Sequence, residues 1–160
     1  MAYEFKLTRQ IDFAETDMAG IMHFSNFFRF MEAAETAFLR SLGHSIYPKD
    51  FHTVGWPRVH ADCDFKRPLR FEDLVEIHLL VRAKGEKSLT YTFIFRKLND
   101  APVREVARGS VVAACVSRDK SGGKMTAVAI PQEIASLIEV APEHLFASET
   151  NSETQHLSLL

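Results

Sequence analysis

The sequence has 160 residues, of which 46% are hydrophobic, and its 19 basic and 21 acidic side chains give a formal net charge of -2. This length suits one domain that buries roughly 70% of its unfolded surface, and the charge excludes the broad positive field of a nucleic-acid-binding protein. Cys63 and Cys115 lie in apolar stretches without CxxC spacing, which predicts free thiols rather than a disulfide scaffold or a zinc ribbon. The N-terminus lacks the apolar core of a signal peptide and no apolar run approaches membrane-spanning length, so we expect a cytoplasmic protein.

Two elements are predicted near the N-terminus. Residues 4–13 alternate in part between apolar and polar side chains, which predicts a first strand. Between Ser25 and Leu42, apolar residues recur every three or four positions and predict a helix with one buried face; they are Phe27, Phe30, Met31, Ala34, Phe38 and Leu42. Gly43 predicts the end of this helix, and either Ser25 or Asn26 could cap its first turn.

The rest of the chain changes to a period of two. Four segments are predicted as successive strands, at residues 58–65, 74–83, 88–98 and 103–119. Their short connections favour antiparallel neighbours, because a parallel crossover needs about a dozen residues or more. Residues 130–141 predict a short closing helix, and residues 148–160 a polar, disordered tail. The sequence therefore predicts one α+β domain over residues 1–147, with a long helix that an antiparallel sheet could wrap.

One stretch, DFAETDMAGIMHFSNFFRFMEAAE at residues 12–35, resembles the signature of the 4-hydroxybenzoyl-CoA thioesterase group of hotdog-fold proteins. The matching positions are Asp17, Gly20, Ile21, His23, Phe24, Asn26 and Phe27. With the later segments DFKRPLRFEDLVEI and AVAIP, the resemblance covers residues 4–138. It implies a hotdog fold, in which a sheet of about five antiparallel strands wraps the long helix. It also implies dimers whose sheets join edge to edge, with active sites at the dimer interface.

The resemblance implies an acyl-CoA thioesterase in which Asp17 is the catalytic carboxylate. Thioester hydrolysis needs a nucleophile, or a base that activates water, together with donors for the charge that grows on the carbonyl oxygen. Asp17 could serve in either way. By resemblance the donors follow His23, at the amide of Phe24 with Ser25 as a further candidate, where a helix start leaves N–H groups unpaired. Gly20 would allow the tight chain reversal, since glycine adopts positive φ without steric cost.

Two residues of the matched stretch have two possible roles each. His23 could orient Asp17, a water molecule or the thioester, or it could pack beside the start of the helix. Asn26 could cap the helix, or it could brace the catalytic loop and contact substrate.

Other carboxylates compete with Asp17, whose spacing by itself is typical of a turn-forming residue. Glu15 lies close by but outside the matched pattern. Another branch of the hotdog thioesterases uses a carboxylate on the central helix, which makes Glu32 and Glu35 alternatives. The spacing of these two glutamates is more typical of solvated charges on a helix face.

Substrate-binding residues are predicted in two further places. Candidates for contact with the CoA moiety, in loops whose composition is also typical of solvated turns, are Lys84, Lys87, Ser88, Arg118 and Lys120. The acyl pocket is expected to involve residues 43–56 together with Phe27, Phe30 and Phe71.

We expect no metal and no cofactor, because the histidines form neither an HExxH motif nor a Cys/His cluster. A serine nucleophile is unsupported, since no G-x-S-x-G elbow occurs. The expected partners are an acyl-CoA substrate, aromatic or short to medium aliphatic, and further copies of the chain in a homodimer or homotetramer. Alternatives are an acyl-carrier-protein thioesterase, a hotdog dehydratase, whose hydration motif is missing, and a non-catalytic acyl-CoA-binding protein, against which Asp17 argues.

Overall fold

The structure, a computed structural model, describes residues 1–46, 54–118 and 123–148. The elements in chain order are β1 (Glu4–Gln10), a 3-10 turn (Phe13–Glu15), α1 (Ser25–Ser41), β2 (Arg58–Phe65), β3 (Leu74–Lys84), β4 (Ser88–Lys97), β5 (Arg104–Ala114), β6 (Val116–Arg118), β7 (Met125–Ala127), α2 (Gln132–Ala135) and a second 3-10 turn (Glu143–Phe146).

Five strands form one antiparallel sheet in the order β1-β3-β4-β5-β2, which leaves β1 and β2 at the two edges. The predicted α+β class and antiparallel pairing are therefore confirmed. The predicted strand at residues 103–119 is wrong in one respect, because it divides at Cys115. There the Cys115 N–H donates to the carbonyl of Lys87 (2.8 Å), and the chain continues as β6, which pairs with β7 in a separate two-stranded sheet.

Helix α1 begins one residue after Phe24 and buries the face that the periodicity predicts. The buried residues of that face include Phe27, Phe30, Met31, Ala34 and Phe38. Gly43 adopts φ +83° just beyond the helix, and the N–H of His44 donates to the carbonyl of Leu39 (2.9 Å), so the predicted helix end is confirmed. The N-cap residue is Phe24, whose side chain makes no capping hydrogen bond, so the predicted cap by Ser25 or Asn26 is wrong.

The sheet packs closely against α1 at Gly109, in the middle of β5. A Cβ atom at Gly109 would contact the Met31 side chain, with its sulfur only 2.8 Å away, and would lie 3.0 Å from the Asp62 carbonyl oxygen. Aromatic residues of β4 complete the interface, and the rings of Phe27 and Phe95 meet edge to face at 5.2 Å. Any larger residue would displace the end of the Met31 side chain and crowd the Asp62 carbonyl, so glycine permits the close approach of the helix and the sheet.

The opposite face of the sheet has its own small core. Leu80 and Ile94 point away from α1 and are fully buried together with Ala141, against Tyr3, Leu145 and Phe146. The C-terminal 3-10 turn therefore lies across the outer face. In the described ranges, none of the helices has the length and apolar character needed to span a membrane.

Candidate active site

Asp17 lies in a tight chain reversal that its own side chain helps to hold. Its Oδ1 atom accepts hydrogen bonds from the N–H groups of Ala19 (2.8 Å) and Ile21 (3.5 Å), and its own N–H donates to the carbonyl of Ile21 (2.9 Å). Gly20 has φ +75°, which confirms the expected positive φ. The Oδ2 atom accepts no hydrogen bond from any described residue. One oxygen of Asp17 thus fixes the turn, while the other has no hydrogen-bond partner among the described residues.

Short antiparallel pairing joins this reversal to the start of α1. Thr16 pairs with Met22, and the carbonyl of Glu15 accepts hydrogen bonds from the His23 N–H (2.9 Å) and from Asn26 Nδ2 (2.8 Å). Asn26 is buried, so its amide is committed to this contact. This hydrogen bond braces the loop, and a contact of Asn26 with substrate stays a prediction.

The first turn of α1 leaves one backbone donor free beside the reversal. The Ser25 N–H donates to His23 Nδ1 (3.3 Å), and the Asn26 N–H donates to the His23 carbonyl (2.9 Å). The Phe24 N–H donates to no described residue. Because it also lies at the positive end of the helix dipole, it can donate to an oxygen that gains negative charge.

The imidazole of His23 faces the helix start and makes no hydrogen bond to Asp17. Its Nδ1 lies 2.8 Å from Ser25 Oγ, and its ring lies 4.7 Å from the ring of Phe24. These contacts place the His23 ring beside the start of the helix, and its role in orienting water or the thioester stays a prediction.

Glu15 is held by contacts of its own. Its Oε1 lies 3.2 Å from Arg9 Nη2, and its Oε2 accepts the Asp12 N–H at 2.9 Å. Both carboxylate oxygens therefore have partners, and Glu15 supports the loop rather than offering a free oxygen to substrate.

A cavity of about 190 Å³ opens between α1 and the β5–β2 edge of the sheet. Its lining consists of Phe28, Glu32, Glu35, Arg58, Ala61 and Val111. Phe27 and Phe30, predicted to shape the acyl pocket, do not line this cavity and are 4% and 2% exposed within the core. Phe71 instead meets the ring of Phe13 edge to face at 5.9 Å. Of the predicted segment 43–56, residues 47–53 lie outside the described residues.

Glu35 is buried in this cavity wall, so its expected solvation is wrong. It is 1% exposed, and its Oε2 accepts hydrogen bonds from Arg58 Nη2 (2.6 Å) and Nε (3.1 Å). Burial raises the pKa of the Glu35 carboxyl, although the Arg58 guanidinium acts in the opposite direction. Glu32 remains exposed, as expected. Sequence reasoning missed the pair because Arg58 is 23 residues away on another element.

The predicted CoA contacts Lys84, Lys87 and Ser88 lie at the far end of the sheet from Asp17. Asp17 follows the end of β1, where Gln10 pairs with Leu74 at the start of β3. Lys84, Lys87 and Ser88 lie around the turn at the other end of this 11-residue strand, which is roughly 30 Å long. One protomer therefore does not bring them to its own Asp17.

The predicted CoA contacts also include basic residues of β3 and of the segment that follows β5. Lys84 Nζ donates to the carbonyl oxygens of Ala135 (3.0 Å) and Ile138 (2.7 Å), which ties β3 to the end of α2. Arg118 ends β6, but its side chain, like the whole of Lys120, lies outside the described residues.

Arg70 is a cation near the Asp17 reversal that sequence reasoning did not select. Its Nη1 lies 3.5 Å from the carbonyl oxygen of Gly20. The available signal was the basic run KRPLR at residues 66–70, in the connection between the predicted strands 58–65 and 74–83.

Comparison with known proteins gives consistent matches. A model of the thioesterase superfamily matches residues 19–104, a range that begins just after Asp17. A putative esterase of Aquifex aeolicus is 30% identical over 135 residues, covering 84% of this chain and 98% of that protein. A 1,4-dihydroxy-2-naphthoyl-CoA hydrolase of Nostoc punctiforme is 30% identical over 138 residues, covering 84% and 86% of the two chains. The solved structure of a gentisyl-coenzyme A thioesterase, 28% identical, superposes with a TM-score of 0.70 and covers 82% of this chain and 99% of that one.

Proposed function

Because the chain belongs to the thioesterase superfamily and has its hotdog fold, we propose that it hydrolyses an acyl-CoA thioester through Asp17. The family resemblance seen in the sequence is confirmed, and with it the class of thioester hydrolases. The observation that carries the finer proposal is that Asp17 Oδ2 and the Phe24 N–H both lack a partner among the described residues, in a reversal and a helix start that backbone pairing joins. Two of the relatives described above are named for CoA thioesters, which supports CoA as the leaving group.

Two routes through Asp17 balance chemically. In the first, Oδ2 attacks the carbonyl carbon, CoA leaves as the thiolate, and water then cleaves the resulting anhydride to release the acid. In the second, Oδ2 takes a proton from water as that water adds to the carbonyl carbon, and the departing thiolate is then protonated. In both routes the Phe24 N–H donates to the carbonyl oxygen as it becomes negative.

The first experiment compares thiol release by the wild type and Asp17→Asn. Suitable substrates are benzoyl-, 4-hydroxybenzoyl-, 1,4-dihydroxy-2-naphthoyl-, acetyl-, hexanoyl- and palmitoyl-CoA. Asparagine keeps an Oδ1 acceptor for the turn but removes the basic, nucleophilic oxygen, so kcat is expected to fall at least about a hundredfold. Asp12→Asn is the matched control, because Asp12 is exposed and asparagine serves equally well at its capping position.

The result separates the candidate activities. Equal rates for the wild type and Asp17→Asn would remove Asp17 from the mechanism, and no release from any ester would contradict acyl-CoA hydrolysis. A single turnover in ¹⁸O-water then distinguishes the two routes, because only the anhydride route can place ¹⁸O in the Asp17 carboxylate.

The proposal extends to a homodimer or homotetramer. Seven of the eight residues of the edge strand β2 are exposed in one protomer, and an exposed strand edge is normally covered or paired. Because Lys84, Lys87 and Ser88 lie far from the Asp17 of their own protomer, their proposed role requires CoA bound at a neighbouring protomer's site. Light scattering gives the oligomeric state, and a raised KM for CoA esters in Lys87→Ala tests the contact.

A further inference from the structure

The loop that carries Asp17 is attached to one turn in the connection between β2 and β3. The loop spans residues 11–24, and the turn, here named the anchor turn, spans residues 69–73. At the start of the loop, the Ile11 N–H donates to the carbonyl of Asp73 (2.9 Å). Ile11 is fully buried, so this bond is shielded from water and fixes the start of the loop.

The anchor turn also holds the end of the loop, close to Asp17. The Met22 N–H donates to the carbonyl of Leu69 (2.7 Å), and both residues are buried. Met22 in turn pairs with Thr16, which precedes Asp17 in the chain. The anchor turn therefore reaches the backbone next to Asp17 through two consecutive backbone contacts, and a shift of the turn would shift Asp17.

The carboxylate of Asp73 closes the anchor turn. Its Oδ2 accepts the Arg70 N–H (2.7 Å), while the Asp73 N–H donates to the Arg70 carbonyl (3.1 Å). Its Oδ1 accepts hydrogen bonds from Asn99 Nδ2 (3.2 Å) and Lys97 Nζ (3.0 Å). Asp73 is 6% exposed, and although burial would raise the pKa of its carboxyl group, the hydrogen bonds from these three residues lower it. Both oxygens of the ionised carboxylate are thus occupied by its own chain.

One residue of the anchor turn has a strained backbone. Glu72 has φ +68°, a left-handed conformation that is uncommon for residues other than glycine. Such strain costs free energy and persists only where the surrounding structure enforces it. Here the Glu72 N–H donates to the carbonyl of Ile11 (2.9 Å), so the strained residue itself holds the start of the loop. The closure by Asp73, its neighbour in the chain, keeps the turn in this conformation.

We propose that Asp73 is a positioning residue for the hydrolysis: it fixes the anchor turn, and the turn fixes Asp17 at the thioester. Asp73 acts through the loop, because both of its oxygens already have partners within the chain. A misplacement of a reacting group by about 1 Å can lower a rate on the order of a hundredfold. A turn two contacts away from Asp17 therefore affects kcat. This inference rests on the proposed hydrolysis of acyl-CoA through Asp17.

The test compares variants that break the bonds of Asp73 on different sides. Asp73→Ala removes every bond of the carboxylate, including the one that closes the anchor turn. Lys97→Met is the matched control, because it removes the ion pair at Oδ1 but leaves the Arg70 N–H bonded to Oδ2. Glu86→Gln, which alters an exposed carboxylate at the β3–β4 turn, controls for the change in charge.

Steady-state kinetics of CoA release are measured with the ester that the wild type hydrolyses fastest. In Asp73→Ala, kcat is expected to fall at least about tenfold while KM changes less than about threefold, because the anchor turn positions a reacting group and does not bind substrate. In Lys97→Met and Glu86→Gln, kcat should stay within about twofold of the wild type, because the turn remains closed.

A double-mutant cycle distinguishes positioning from a general loss of folded protein. If Asp73 acts through Asp17, Asp73→Ala should change the residual kcat of Asp17→Asn by less than about twofold. A merely structural role would lower kcat by the same factor in the wild type and in Asp17→Asn, because unfolding removes both enzymes alike. Equal factors in the two backgrounds would therefore overturn the inference.

Asp73→Asn supplies a second variant should Asp73→Ala fail to fold. Two donors, one of them the cation of Lys97, lie on the Oδ1 side of the carboxylate. The amide oxygen of asparagine therefore faces them, and its NH₂ group faces the Arg70 N–H, which leaves the turn open. Asp73→Asn should then have a lower kcat than Lys97→Met, and equal values would contradict the positioning role.

The outcomes separate this inference from the proposed function. If the wild type hydrolyses esters through Asp17 but Asp73→Ala and Lys97→Met have the same kcat, the positioning role is wrong and the hydrolase remains. If the wild type releases no CoA from any ester, the proposed function itself fails. Hydrogen exchange of the Met22 N–H then tests the anchoring without activity: it should be at least about tenfold faster in Asp73→Ala than in Lys97→Met. Equal exchange rates would show that Asp73 does not hold the loop.

Discussion

Two buried glutamates, one on each side of the sheet, are held in opposite ways. Glu105 on β5 is 3% exposed and has both oxygens bonded, Oε1 to Arg108 Nε at 2.6 Å and Oε2 to Arg108 Nη2 and Lys66 Nζ, each at 3.2 Å. Burial alone would raise its pKa, but the bonds from Arg108 and Lys66 outweigh burial and lower it. Glu35 is 1% exposed and has one oxygen bonded, to Arg58, and burial raises its pKa.

The difference shows that burial by itself does not decide the role of a carboxylate. Glu105 is satisfied by its own chain, in a network that also includes bonds from Arg108 to the carbonyl of Phe146 (2.7 Å), so it ties the C-terminal turn to the outer face. Glu35 is only half satisfied and borders a cavity. A carboxylate whose partners all come from its own folded chain stabilises the fold, whereas a buried carboxylate with an unpaired oxygen costs free energy.

The largest effect on stability is expected from breaking the satisfied carboxylate. Glu105→Gln leaves Arg108 and Lys66 without their anionic partner; because both cations are partly exposed, the expected cost is that of lost hydrogen bonds to a charged group, about 1.5 to 3 kcal/mol. Urea unfolding measures the loss of the free energy of unfolding. Glu86→Gln, the exposed control, should stay within about 0.5 kcal/mol of the wild type. A loss below 1 kcal/mol in Glu105→Gln would mean that the network on the outer face is unimportant for stability.

A smaller effect on the free energy of unfolding is expected when pH is varied, and its sign is opposite for the two glutamates. The lowered pKa of Glu105 contributes stability that is present above its unfolded value of 4.5 and is lost as pH falls through the folded pKa. The raised pKa of Glu35 contributes stability that is present below 4.5 and is lost as pH rises through the folded pKa. Each unit of pKa difference corresponds to about 1.4 kcal/mol.

This pH dependence is read from variants rather than from the wild type alone. Relative to Glu105→Gln, the wild type should gain stability as pH rises towards 4.5; relative to Glu35→Gln, it should lose stability as pH rises above 4.5. Thermal unfolding at pH 3.5 to 7.5 measures both differences. Slopes of the same sign would contradict the contrast between the two sites.

The smallest effect on stability is expected where the half-satisfied pair is removed completely. Glu35→Met with Arg58→Met should change the free energy of unfolding by less than about 1 kcal/mol, or raise it, because apolar residues of similar volume often replace a buried ion pair without loss. The single variant Arg58→Met, by contrast, leaves Glu35 buried and unpaired, and it should be clearly less stable. If both variants lose the same stability, the pair is structural in the same sense as Glu105.

Elements set by local pattern were predictable from the sequence. Helix α1 and strand β2 match the predicted ranges to within one residue, because periodicity and turn residues act over a few positions. Asp17 and Gly20 were predicted as site residues through their matched motif, and the positive φ of Gly20 follows from the turn they share.

Features set by distant contacts were not predictable. The bond between Glu35 and Arg58 joins residues 23 positions apart, so the spacing of charges on one helix cannot show it. The placement of Lys84 and Lys87 depends on which end of β3 the Asp17 loop adjoins, and that follows only from the pairing of β1 with β3. Strand order and register, rather than composition, therefore decide which predicted residues meet.

The anchoring of Asp17 through Oδ1 has a stereochemical consequence. A planar carbonyl group has two faces, and a carboxylate that could rotate freely would reach either one. Because Ala19 and Ile21 fix one oxygen, the other approaches from a constant direction. A thioester held at the Phe24 N–H would then be attacked on the same face in every turnover, and its tetrahedral intermediate would form with a single handedness.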